Sequence, residues 1–94
     1  MSTSDLVLNI AVNLGRMARW AMDGKVKRIR QFMADTEYYL GELDAAPKGD
    51  RFARTYSLFK ERYKDLCADI RPDEDWAEEA LTWANILTHR AKLA

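Results

Sequence analysis

The chain has 94 residues, the length of one small domain. Hydrophobic residues make up 48% and charged residues 32%, with 4 Gly and 2 Pro, which excludes a disordered or loop-rich protein. The formal net charge is zero, and a single cysteine and a single histidine exclude an internal disulfide and a multi-histidine metal site.

The N-terminal residues carry no recognisable targeting signal. They lack the basic stretch of a signal peptide, and Asn9 and Asn13 interrupt the apolar run that follows. No window approaches the roughly 18 uninterrupted apolar residues of a membrane span. With one thiol, at Cys67, the sequence predicts a cytoplasmic protein without membrane contact, in which Cys67 is a half-buried packing residue.

A first helix is predicted over about residues 5–22, because apolar residues recur on one side of a helix and Ser2 with Asp5 resembles a capping box. Leu8 and Val12 lie on the opposite side of this helix. A second apolar side predicts either a helix covered from several directions or a subunit contact. Trp20 lies on the flank of the main stripe, where large aromatic residues are typical of protein interfaces.

A second helix is predicted over about residues 25–45, with a heptad seam whose one polar member is Thr36. Tyr38 lies outside the seam and is another candidate interface residue. The junction at Gly24 leaves two alternatives. Gly24 ends the first helix, or one long bent helix of about 60 Å runs through it and needs a dimer to cover it. We favour a break or bend at Gly24.

A third helix is predicted over about residues 50–69 and a fourth over about 73–92, after loops that contain Pro47 and Pro72. The aromatic stripe of the third helix is interpreted as core rather than as a stacking platform, with its tyrosine hydroxyls at the rim of the bundle. The stripe consists of Phe52, Tyr56, Phe59 and Tyr63. Alternating large and small residues in the fourth helix suit close packing against another helix. The sequence therefore predicts one all-α domain over residues 1–94, an up-down bundle of four helices.

Charged residues occur in blocks of one sign. The basic block consists of Arg16, Arg19, Lys25, Lys27, Arg28 and Arg30. If the second and third helices form an antiparallel hairpin, the basic start of the second lies beside the acidic end of the third. The acidic end of the second helix then lies beside Arg51 and Arg54. The alternative is that the basic block contacts phosphates or an acidic partner.

No catalytic, cofactor or metal site is predicted. His89 shares one side of the fourth helix with Glu78, Thr82 and Asn85, a pattern typical of a solvated surface. Glycine-rich phosphate-binding motifs and metal-ligand spacings are absent from the sequence.

Three hypotheses for function follow. The first is a non-enzymatic interaction or assembly module, a homodimer or an adaptor for another protein, with Leu8, Val12, Trp20 and Tyr38 as candidate interface residues. The second is a small nucleic-acid-binding subunit that uses the basic block, although zero net charge argues against it. The third is an enzyme whose site forms only between subunits.

Overall fold

A computed structural model describes residues 1–94. The helices are α1 (Thr3–Met22), α2 (Val26–Ala45), α3 (Asp50–Ala68) and α4 (Glu74–Arg90), followed by a 3-10 turn at Ala91–Leu93. The predicted all-α class with four helices is confirmed, and every predicted helix bound lies within two residues of the observed one. None of the four helices combines the length and apolar character that crossing a membrane requires.

Helix α1 is terminated at both ends by local signals. At its start, the Ser2 hydroxyl accepts a hydrogen bond from the Asp5 amide at 3.1 Å, as the sequence predicts. At its end, Gly24 adopts a left-handed φ of 72°. The Gly24 and Lys25 amides donate to the carbonyls of Ala21 and Trp20, which is the Schellman arrangement of a helix C-terminus. The alternative of one long helix through Gly24 is therefore wrong.

Helix α2 has an uncapped start and a well-satisfied end. Lys25 occupies the N-cap position without a side-chain hydrogen bond, and the first turn contains no acidic residue. At the other end, the Lys48 ammonium donates to the carbonyls of Leu43 at 2.7 Å and Ala46 at 2.8 Å. A lysine that binds the last carbonyls of a helix satisfies acceptors that the helix itself leaves free.

Helix α4 is attached to the end of α3. The Asp73 carboxylate caps α4 by accepting from the Trp76 amide at 2.8 Å. The Trp76 indole nitrogen donates to the Leu66 carbonyl at 3.1 Å, which satisfies a buried donor and a carbonyl in the last turn of α3. The direction in which α4 leaves α3 is therefore set by two side chains close to Pro72.

The four helices run up and down in a ring, and α1 approaches α4 most closely, then α2. Small buried residues allow the close approach of α1 and α4. They are Ala11, Ala18, Ala77 and Ala84. Helix α3 instead contributes the aromatic stripe, and Phe59 meets Trp83 at a ring-centroid distance of 5.5 Å. Bulky side chains keep the backbone of α3 further from its neighbours, so aromatic side chains fill the space between α3 and the other helices.

The predicted pairing of charge blocks between α2 and α3 is wrong except for one pair. Lys60 forms an ion pair with Asp44 at 2.9 Å, whereas Arg51, Arg54 and the basic start of α2 form none. Tyr56 and Lys60 of α3 both reach Asp44 near the end of α2. No ion pair links residues 25–30 to the acidic end of α3.

Candidate interaction surface

An exposed apolar surface runs along α1 and α4, and we refer to it as the α1/α4 face. Its members are Leu8, Val12, Gly15, Arg19 and Met22 of α1 with Glu74, Glu78 and Leu81 of α4. Steps of three and four residues place the α1 members on one side of that helix, opposite the core stripe. The sequence interpretation of Leu8 and Val12 as a second apolar side therefore extends to Met22 and across to α4.

The large apolar members of the face are exposed. Their exposed fractions are 39% for Leu8, 52% for Val12, 61% for Met22 and 49% for Leu81. Gly15, Ala18 and Ala77 form the floor of a groove of about 360 Å³ between the two helices. A contiguous apolar patch with a groove is typical of an interaction site, whereas isolated exposed residues are not.

Charges of both signs border the groove. Arg19 lies on the α1 side, and Glu74 and Glu78 lie on the α4 side. None of the three forms an ion pair within the chain. The face therefore combines an apolar centre with unpaired charges at its edge, which is the usual anatomy of a protein interface.

Trp20 does not lie on this face. It is half-buried in the seam between α1 and α2, where its ring meets Phe32 edge-to-face at 4.5 Å. The Arg16 guanidinium lies 5.5 Å from the Phe32 ring and the Arg28 guanidinium 6.0 Å from the Trp20 ring. Two members of the basic block are thus stacked on aromatic rings, where they cover apolar surface.

Tyr38 lies on a third surface. It is exposed, contacts Tyr39 edge-to-face at 5.7 Å and borders a small pocket that includes Met1, Leu6 and Glu42. The four candidate interface residues of the sequence analysis therefore divide among three surfaces, and only Leu8 and Val12 share one.

The remaining cations of the basic block are exposed and unpaired. Lys25, Lys27 and Arg30 project from the first two turns of α2, and none contacts an acidic side chain. The basic block is therefore not an intramolecular ion-pair surface, which was one of the two sequence interpretations.

A buried polar cluster links α1 and α2, and sequence reasoning missed most of it. Asn13, which interrupts the apolar pattern of α1, is buried and donates to the Thr36 hydroxyl at 3.2 Å and to the Asp35 carboxylate at 3.0 Å. Thr36 donates to the Phe32 carbonyl at 2.7 Å. The one signal in the sequence is that the apolar stripes of α1 and α2 each contain a polar residue, Asn13 and Thr36, which could bond to each other.

Tyr63 also belongs to the interior, against the expectation that its hydroxyl reaches the rim. The hydroxyl is buried without a hydrogen bond of regular geometry, facing Thr36 and Cys67. Burial raises the pKa of Tyr63 and, likewise, the pKa of the Cys67 thiol. A thiol that holds its proton is a poor nucleophile, so Cys67 has the character of a packing residue.

A second tyrosine lies in a polar cluster between α2 and α3. The Tyr56 hydroxyl donates to the Asp44 carboxylate at 2.6 Å, and Lys60 approaches the same oxygen at 2.9 Å. The hydrogen bond from Tyr56, followed by that from Lys60, lowers the pKa of Asp44. The exposed fractions of Asp44 and Lys60 indicate a stabilising contact at the surface rather than an enclosed reactive site.

His89 is exposed on α4 and makes no hydrogen bond or ion pair with a side chain, as expected for a solvated surface. No group of three histidine, cysteine or acidic side chains is arranged to hold a metal ion. Comparison with protein-family models, with curated proteins and with solved structures gave no match to this chain.

Proposed function

We propose that this protein is a non-enzymatic assembly module that associates with a second copy of itself through the α1/α4 face. The observation that carries the proposal is the apolar groove of this face, bordered by unpaired Arg19 on one side and unpaired Glu74 and Glu78 on the other. A surface that carries both signs of charge around an apolar centre is complementary to a copy of itself.

The size of the chain supports self-association. A domain this small buries only about 60–65% of the surface of its unfolded chain, so a second copy adds apolar burial that one chain lacks. We place the module in the cytoplasm, because its one cysteine is a half-buried free thiol, which is the usual state in a reducing compartment.

The test is the molar mass in solution, by light scattering on a sizing column over a range of protein concentrations. We expect a mass of twice 10.9 kDa for the native chain. Val12→Glu places a carboxylate among the exposed apolar residues of the α1/α4 face, next to the groove, and is expected to shift the equilibrium to monomer.

Leu58→Glu is the matched control. Leu58 lies on α3, away from the face, and its exposed fraction of 49% is close to that of Val12. This variant is expected to keep the dimer. A native chain that is monomeric at the highest concentration contradicts the proposal.

A second candidate function is binding of a nucleic-acid backbone by the basic block. It is favoured by the absence of ion pairs at these six cations and by the stacking of Arg16 and Arg28, which holds two guanidinium groups at the surface. The pI near 6.6 argues against it. The double variant Lys27→Glu with Arg30→Glu would abolish binding to a single-stranded oligonucleotide, and native binding would weaken steeply with salt.

A further inference from the structure

The charges and shape of the α1/α4 face also specify how two copies face each other. We infer that the two-fold axis of the dimer runs parallel to the helices, so that α1 of each copy packs on α4 of the other and Arg19 of each copy meets Glu74 and Glu78 of the other. This inference rests on the proposed function and adds the orientation of the second copy.

The charge argument follows from the geometry of a two-fold rotation. A rotation about an axis parallel to the helices exchanges left and right but keeps every residue at its own height along the bundle. Within one copy, Arg19 is at the height of Glu74 and Glu78, because the three residues border the same stretch of groove. The rotation therefore brings Arg19 of one copy opposite the two carboxylates of the other.

The shape argument concerns Gly15 and Leu81, which border the groove at a common height. Gly15 has no side chain, and the space beside it is open, since a Cβ atom added there would meet nothing within 4 Å. Leu81 projects from α4 with about half of its surface exposed. The same rotation places Leu81 of each copy over Gly15 of the other, so a large side chain meets a vacant space twice per dimer.

The other two-fold arrangement has its axis across the helices and fails on both counts. It sets α1 against α1 and α4 against α4, with their directions reversed. Arg19 then meets neither carboxylate of the other copy, and Leu81 lies over α4 instead of over Gly15. Both arrangements bring antiparallel helices together, so the helix dipoles favour neither, and charge and shape decide between them.

Complementary charge reversal tests the orientation. Arg19→Glu places like charges together in a homodimer, and so does Glu78→Arg, so each variant alone is expected to weaken dimerisation by about tenfold or more. An equimolar mixture of the two is expected to recover the dimer. In the mixed dimer the carboxylate introduced in one chain meets the guanidinium introduced in the other, while the native Arg19 of the second chain meets the native carboxylates of the first. The double variant on one chain is expected to dimerise as well.

Arg54→Glu and Glu61→Arg are the matched controls, since both positions are exposed on α3 and unpaired. They are expected to leave the dimer intact, and circular dichroism checks that every variant is folded. A native dimer whose mass is unchanged by either reversal, or that the mixture does not restore, overturns the inferred orientation and leaves self-association standing. A native chain that is monomeric overturns the proposed function itself.

Discussion

Gly24 and Gly41 have equally empty surroundings but different backbone conformations. A Cβ atom would meet nothing within 4 Å at either position. Gly24 has a left-handed φ of 72°, whereas Gly41 lies within the regular helix α2. The backbone conformation alone therefore decides whether an added methyl group raises or lowers the free energy of unfolding at each position.

Substitution of alanine at these two glycines is expected to have opposite effects. Gly24→Ala should lower the free energy of unfolding by about 1–2 kcal/mol, because alanine is strained in the left-handed region. Gly41→Ala should raise it by about 0.5–1 kcal/mol through the lower entropy of the unfolded chain. Urea denaturation at one protein concentration measures both, and an equal response of the two variants would contradict the termination of α1 at Gly24.

Tyr63 and Tyr56 offer a second contrast between like residues. Tyr63→Phe removes a buried hydroxyl that lacks a hydrogen bond and is expected to leave stability unchanged or raise it by up to about 1 kcal/mol. Tyr56→Phe removes the hydrogen bond to Asp44 and is expected to lower stability by about 1 kcal/mol. Thermal unfolding of the two variants beside the native chain distinguishes them, and the reverse order would refute the assignment of the two hydroxyls.

The same tyrosines set the response to alkaline pH. Burial raises the pKa of both hydroxyls in the folded state, whereas the unfolded chain releases these protons near pH 10. Above that pH the unfolded state binds fewer protons than the folded state, so stability falls as the pH rises. The double variant with phenylalanine at both positions is expected to show a flatter profile of melting temperature between about pH 9 and 11.

At the scale of the element, α2 is the helix whose ends depart most from the usual capping and charge preferences of helices. Its start carries cations and no cap, against the helix dipole, and its end depends on Lys48. Helices α1 and α4, by contrast, begin with side-chain caps at Ser2 and Asp73. The cations at the start of α2 have no ion-pair partners that would offset their repulsion.

Charge reversal at the start of α2 is therefore expected to stabilise the protein. Lys27→Glu places an acid in the first turn and should raise the free energy of unfolding by about 0.3–1 kcal/mol, and Lys27→Glu with Arg30→Glu should remain at least as stable as the native chain. The measurement is denaturant unfolding at low and moderate salt. A clear loss of stability would mean that these cations have acidic partners in the folded chain.

At the scale of the whole molecule, zero net charge hides a strong separation of charge. The connection between α1 and α2 and the connection between α3 and α4 lie at the same end of the bundle, since the helices alternate in direction. Residues 16–30, around the first connection, carry six cations and one acid, whereas seven of the eight charged residues from Asp65 to Glu79, around the second, are acidic. Helix α1 leads into the basic connection and helix α4 follows the acidic one, and these two helices form the face that we propose as the dimer contact.

The two arrangements of the dimer differ in which charged regions of the two copies face each other. With the axis parallel to the helices, the basic residues around the α1–α2 connection of each copy lie over the acidic residues around the α3–α4 connection of the other copy. Such interactions are individually weak and screened by salt, but they act on orientation and on the rate of encounter. In the proposed dimer, burial of Val12, Met22 and Leu81 is expected to supply most of the affinity.

The sequence by itself predicted the four helical segments with bounds within two residues of the observed ones, and it favoured a break or bend at Gly24 without deciding it. These features depend on signals within one or two turns of the chain. Caps at Ser2 and Asp73, a left-handed glycine and the spacing of apolar residues act locally, whatever the rest of the molecule does.

Only the tertiary structure decided how these helices meet. The packing of the helices leaves the basic block without ion pairs, and this packing depends on side-chain sizes in segments far apart in the chain. The burial of Asn13 against Thr36 and the joining of Gly15 and Met22 with Leu81 in one groove likewise require two helices at a known distance. Periodicity predicts which side of a helix is apolar, but packing decides which apolar sides are covered and which remain open to a second copy.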